Sequence, residues 1–384
     1  MHDPISSLSA SSANSADSAA APCAWLLAGP RAGDNNQVLA LGEMLGWPFE
    51  LKQVCYRRRR LVPKAISSRS LDMRVAGVDL GKSSPLAPPW PDVVISAGRE
   101  QEPAARWIKL QSGGRTRLVH MGRPWAPLEA FDLIISTPQY ALPERENVVL
   151  NLLPLHRVTP ERLQREAALW HPRLRYLEGP YTAVLLGGNS GSFTFTRAKG
   201  RRLGRLVDEA VRASGGSLLV TDSARTPASA FDAFMDCIGV PTHVHRWGAR
   251  GADNPYFGYL ALADRIVITG ESVSMLAEAS VTAKPMMIFD LADALPEGAP
   301  LWQRAAAKLR YHALREWFAL RLGPRYMQRD IGMIQRHLVE NGRARWIGKD
   351  ACDAPQRASV ISGSADAERA VACVQRLLAG SLPC

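Results

Sequence analysis

Cysteine is sparse in this chain and follows no pattern. Six cysteines stand at positions 23, 55, 237, 352, 373 and 384, and no two form a Cys-x-x-Cys pair. That spacing argues against a zinc site and favours reduced thiols in a cytosolic setting. No apolar run approaches the ~20 residues needed to span a bilayer. Residues 1–21 are rich in Ser and Ala but have neither a basic start nor an apolar centre, so they read as a disordered tail rather than a secretory signal. No Asp-x-Asp occurs, which argues against a metal-dependent transferase built around one, and no metal site is expected. The absence of Gly-x-Ser-x-Gly argues against a serine-hydrolase elbow. Gly81-Lys82-Ser83 ends like a phosphate-binding P-loop, but Ala76 stands where its first glycine belongs.

What is present is a globular composition with an excess of positive charge. Hydrophobic residues make up 46% and charged residues 22% of 384, enough for two domains with full cores. The formal net charge is +11, and the sharpest basic run is Tyr56-Arg57-Arg58-Arg59-Arg60. Such a run is a solvated loop or a patch for anionic lipid headgroups. An acidic small substrate is the other partner that this charge would suit. No helix-turn-helix, zinc finger or aromatic-interleaved basic motif accompanies it, so nucleic acid is not expected as a partner. His243 and His245 alternate on a predicted strand and read as core or edge histidines, since a metal needs more ligands than this pair.

The chain alternates short apolar runs with Gly-bearing turns and helical spacing. Strands are predicted at Ala24 to Ala28, Phe49 to Val54, Asp92 to Ser96, Thr116 to Met121 and Asp132 to Ser136. The turn from Gly29 to Gln37 carries Gly33, with Asp34 or Asn35 as the helix cap. A second turn follows at Ala97-Gly98-Arg99-Glu100. After a proline-rich stretch the same rhythm resumes. Strands are predicted at Thr182 to Leu186, Ser217 to Thr221, Thr242 to Trp247, Arg265 to Ile268 and Met286 to Phe289. Helices are predicted at Arg197 to Ala213, Ser229 to Cys237, Leu301 to Arg321, Arg325 to Glu340 and Ala365 to Ala379. Strand, turn and helix in repetition predict two doubly wound, Rossmann-like α/β domains. The expected boundaries are a tail at 1–21, an N-terminal domain at 22–155 and a linker at 156–180. A C-terminal domain at 181–345 and a tail with a helix at 346–384 complete them.

Two stretches carry chemistry. Gly187-Gly188-Asn189-Ser190 follows a strand, and its glycines let backbone approach a phosphate. Thr269 to Pro285 reads as a turn opening a helix, with Ser272 at the N-cap and Val273 and Ser274 beginning the helix. Its unpaired amides offer a seat for an anion. Glu278, on the same helix, is placed to accept hydrogen bonds from a ribose diol. The competing readings are a permissive loop and an ordinary crossover helix with a solvated glutamate.

Glu278 with Pro285, seven residues on, resembles the ribose-binding glutamate and following proline of the UDP-GlcNAc-dependent lipid-linked transferases of cell-wall synthesis. Gly187 to Gly191 is similar to their second glycine-rich loop. More widely, the chain resembles the bacterial branch of a family named for a plant mitochondrial-fission factor. The residues that carry this likeness are Gly33 to Gln37, Gly187 to Ser190, Asn254-Pro255-Tyr256 and Thr269 to Pro285. The resemblance implies the B-type glycosyltransferase fold, two Rossmann-like domains facing a cleft. It implies a nucleotide sugar, UDP- or GDP-linked, as donor substrate, with no separate cofactor. Gly33, Gly187, Gly188, Asn189, Ser190, Ser272, Val273, Ser274 and Glu278 would bind it. The acceptor would be anionic or lipid-linked, at the cytoplasmic face of a membrane. Where the lipid-linked transferases carry a histidine in the first glycine-rich loop, this chain has Asp34. Asp34 and Glu100 are the candidates for a general base, against a simpler role as helix caps. An epimerase of the same fold and a non-catalytic scaffold are the alternatives.

Overall fold

The structure is a computed structural model, and it describes residues 21–57, 77–190, 193–249, 253–292, 330–348 and 363–380. The tail expected at 1–21 (except Ala21), Arg58 to Arg60, the helix expected at Leu301 to Arg321, and Gly191 with Ser192 lie outside these residues. The chain divides into two compact units.

The first unit holds β1 (Ala24–Ala28), α1 (Ala32–Leu45), β2 (Phe49–Gln53), β3 (Val93–Ala97), α2 (Glu102–Gln111), β4 (Arg117–Met121), β5 (Leu133–Ser136) and β6 (Val148–Leu150). Its strands form one sheet in the order β2-β1-β3-β4-β5-β6, all pairs parallel. The central strands Ala-Trp-Leu-Leu-Ala and Val-Val-Ile-Ser-Ala are buried at every position. Helices cover both faces of such a sheet, so central strands read as continuous rather than alternating apolar runs.

The second unit holds α3 (Pro160–Leu174), β7 (Tyr181–Leu185), α4 (Arg197–Ser214), β8 (Ser217–Thr221), α5 (Ala228–Met235), β9 (Thr242–His245), α6 (Tyr256–Leu262), β10 (Arg265–Thr269), α7 (Val273–Ser280), β11 (Met286–Phe289), α8 (Ile331–Glu340) and β12 (Arg345–Trp346). Its sheet runs β12-β11-β10-β7-β8-β9, again wholly parallel. Counted from the first strand of this unit, that is the Rossmann order, and the strand order reverses between β7 and β10. In the first sheet the reversal falls between β1 and β3. Both units are therefore doubly wound and Rossmann-like, and each has a switch point at the carboxyl ends of two named strands.

Two boundaries differ from expectation. Residues 156–180, expected as a linker, belong to the second unit. Trp170 and Leu174 lie one helical turn apart on α3, and with Leu177 they are buried against Tyr259 and Leu260. An amphipathic helix with such a stripe docks rather than spans. The C-terminal helix α9 (Gly363–Leu378) returns, from Ala367 on, to the first unit, where Arg369 donates to the Leu150 carbonyl at 2.7 Å. Cys23, Cys55 and Cys237 are free thiols, but Cys373 is disulfide-bonded, against the expectation of reduced thiols throughout. Among the described residues no helix is long and apolar enough to cross a membrane.

Candidate functional site

The switch point of the second unit brings the two sequence-identified stretches together. β7 and β10 are neighbours in register, so the turns that leave their carboxyl ends must meet. The Gly187 amide donates to Thr269 Oγ1 at 2.7 Å, and the Gly188 amide donates to Glu271 Oε1. Behind the glycine turn, Ser223 Oγ donates to the Gly187 carbonyl at 3.0 Å. A Cβ on Gly188 would overlap the backbone of Arg225 and Thr226, so only glycine allows this approach.

These contacts correct one expectation. The amides of Gly187 to Ser190 are not open donors. Thr269 and Glu271 take the first two, the Arg225 carbonyl accepts from Asn189 at 3.2 Å, and the Phe193 carbonyl accepts from Ser190 at 2.9 Å. The Asn189 side chain is also engaged, accepting from the Phe195 amide at 2.8 Å. The turn folds back on its neighbours, and buried N–H groups seldom remain unpaired.

The open donors lie at the start of α7. Ser272 occupies the N-cap but makes no side-chain capping bond, contrary to the usual role of a serine there. The amides of Val273, Ser274 and Met275 have no partner among the described residues. The positive end of the helix dipole and three N–H groups therefore point at one place. Further along α7, Glu278 is buried, and its Oε2 accepts from the Tyr256 hydroxyl. Burial, together with the Glu278 carboxylate, pushes the Tyr256 phenol well above its usual range, so it stays a donor. Asn254 Oδ1 in turn accepts from the Tyr256 amide at 3.0 Å. The Asn-Pro-Tyr motif thus serves to hold Glu278. Lys284, at the far end of this crossover, donates to the Leu260 and Ala261 carbonyls at 2.8 and 2.6 Å, closing the C-terminus of α6.

Glu271 is the residue that sequence reading missed. It is 1% exposed, Oε1 holds the glycine turn, and Oε2 is buried without a hydrogen-bond partner. Burial drives its carboxyl up to about 7, although the Gly188 amide, Arg225, its own backbone amide and the Thr269 hydroxyl pull the other way. Arg225 stands 3.9 Å from Oε1. The signal was an acidic residue between a strand-ending glycine and an N-cap serine, where solvated turn residues are the ordinary expectation.

In the first unit, α1 begins earlier than expected. Its N-cap is Arg31, which makes no side-chain cap, so neither Asp34 nor Asn35 caps the helix. Asn35 instead clips the turn, accepting from the Gly29 amide and donating to the Gly29 carbonyl, both at 2.8 Å. That pairing closes the turn early and leaves Gly33 and Asp34 inside the first helical turn. The Asp34 carboxylate lies against Gly98, at the other side of the β1–β3 switch point. Glu100 is half-buried, and its carbonyl accepts from the Tyr56 hydroxyl. Glu102, just beyond, is buried and accepts from the Trp125 and Ala126 amides at 2.9 Å, and burial raises its carboxyl to about 7.

The paired histidines are half-buried residues of the edge strand β9. His243 bonds the Tyr259 hydroxyl and packs edge-on against Trp170. Among the described residues no group of three His, Cys, Asp or Glu side chains could hold a metal ion.

Two Rossmann-like units, each with Gly-bearing turns at a switch point, define the class: a two-unit α/β protein with the architecture of nucleotide-binding folds. The family model for mitochondrial fission ELM1 matches residues 32–344, and the chain belongs to that family. The mitochondrial fission protein ELM1 of Arabidopsis thaliana is 28% identical over 224 residues, 52% of this chain and 51% of the relative. The chain thus spans about half the length of that relative. Among solved structures, the UDP co-structure of MnaA from S. aureus is similar at a TM-score of 0.47 and 10% identity, covering 93% of this chain and 97% of that one. A glycosyltransferase from Rickettsia africae is similar at a TM-score of 0.41 and 10% identity, covering 84% of this chain and 94% of that one.

Proposed function

We propose that the protein is a metal-independent glycosyltransferase of the B-type arrangement, binding a UDP- or GDP-linked sugar in its second unit. The observation that carries this reading is the meeting of the Gly187–Gly188 turn with the Thr269–Ser272 turn at the β7–β10 switch point. There the three open amides of α7 would take the diphosphate, with the Ser272 and Ser274 hydroxyls beside them. Glu278 would accept from the ribose diol once Tyr256 yields part of its hold. Dipole and N–H donors would stabilise the leaving diphosphate. The first unit would hold an anionic or lipid-linked acceptor at a membrane surface, consistent with the positive net charge. Asp34 or Glu100 would supply the general base.

The test is thermal stability of the full chain with a panel of UDP- and GDP-sugars. A ligand of the folded state at a hundred times its Kd adds about 2.7 kcal/mol. One sugar nucleotide is expected to raise Tm by several degrees, and Glu278→Ala to abolish the rise. No rise with any of them removes the reading. Turnover of a UDP-sugar without acceptor would identify an epimerase instead. Stable protein partners and no nucleotide response would identify a scaffold.

A further inference from the structure

Glu271 is buried, acidic and incompletely satisfied, and it lies where the proposed donor's diphosphate would arrive. Its Oε1 holds the Gly188 amide, its Oε2 is buried without a partner, and Ser272 with the open amides of α7 follows it directly. An oxygen buried with nothing to accept from is costly as an anion and less so when it carries a proton. The groups around it are few. Thr269 comes from β10, the Gly188 amide from the glycine turn, Arg225 from the segment before α5, and Gln335 from α8, where it donates to the Gly270 carbonyl at 2.6 Å. Among these only Arg225 is charged. Its side chain is 43% exposed, so solvent weakens its hold on Glu271.

An anion seated on the α7 amides would place a second negative charge beside Glu271. Two such charges in a buried setting drive one group to take a proton. We propose that Glu271 is a positioning residue that links anion binding at the α7 start to proton uptake. Neutral Glu271 keeps the glycine turn in place and admits the diphosphate. Ionised Glu271 holds the diphosphate off. The inference rests on the nucleotide-sugar reading of this site and adds a pH dependence to it. Burial alone already raises this carboxyl to about 7, which puts the effect near neutrality.

The experiment is calorimetric titration of the full chain between pH 6 and 9. The probes are UDP-N-acetylglucosamine and sodium sulfate, whose diphosphate and sulfate charges do not change in this range. The uracil N3–H begins to ionise toward pH 9, so the nucleotide sugar is read up to pH 8 and sulfate over the full range. The wild type is expected to lose about tenfold in affinity per pH unit above pH 7, with close to one proton taken up per anion bound. Glu271→Gln keeps the oxygen that meets Gly188 and removes the titration. It is expected to bind at pH 8 as the wild type does at pH 6, with a flat profile. Glu271→Asp keeps a carboxyl and is expected to retain a decline. A flat wild-type profile, or a decline that survives in Glu271→Gln, overturns the proton link. Sulfate showing the Glu271-dependent decline while the nucleotide sugar binds at no pH would sustain the link and overturn the nucleotide reading. Flat binding of both probes would overturn the link alone, and binding of neither would overturn both.

Discussion

Tyr256→Phe isolates the contact on which the proposed ribose site depends. The substitution keeps the ring, and with it the edge-on packing against Phe257 at 5.4 Å between centroids. It removes only the hydroxyl that donates to Glu278 Oε2. A hydrogen bond to a charged group contributes roughly 1.5–3 kcal/mol, and the buried carboxylate loses a donor that water cannot readily replace. For a folded unit of this size, each kcal/mol moves Tm by about 2–4 °C. The expected fall is therefore roughly 3–12 °C in a calorimetric melt of the full chain at pH 7. A double-mutant cycle with Glu278→Gln should return a coupling of about 1–3 kcal/mol. A melt within about 1 °C of wild type, together with no coupling, would show that the Asn254-Pro255-Tyr256 motif does not hold Glu278. The placement of that carboxylate would then need another cause.

Two further outcomes follow from the same turn. The folded pKa of Glu271, about 7, lies above its ordinary 4.5, so its contribution is full below pH 4.5 and is lost as pH rises through 7. At 1.36 kcal/mol per unit, Glu271→Gln should gain about 3 kcal/mol on the wild type between pH 4.5 and 7.5. Urea midpoints of both proteins, compared at each pH, measure it. Taking the difference cancels buried His120, whose pKa of about 3 destabilises the fold in the opposite direction as pH falls below 6.5. A constant difference would refute the assignment. Gly188→Ala should lower stability by about 1–3 kcal/mol, because its Cβ meets the Arg225 backbone. It should also weaken sulfate binding at least tenfold. Unchanged urea midpoint and unchanged sulfate affinity would contradict the packing described.

The local alternation of apolar runs, turns and helical spacing was enough to determine ten of the strands, the helices that follow Gly187 and Thr269, and the doubly wound class. Burial of parallel strands on both faces imposes a pattern that needs only neighbouring residues to be read. The positions of Ser272 and Glu278 on one helix were legible for the same reason. Strand order was not, because the β7–β10 pairing joins segments separated by two other strands in sequence. That pairing decides that the Gly188 amide meets the Glu271 carboxylate across 83 residues, and that the glycine turn spends its donors internally. It also decides that Glu271 is buried with one oxygen unmatched, where the sequence shows only a polar residue in a turn. The docking of 156–180 and the early start of α1 were hidden likewise. Trp170 needs the surface of α6, and Asn35 needs the Gly29 turn, before either has a partner to choose. Hydrogen-bond partners and burial depend on which elements become neighbours, and only the assembled sheet settles that.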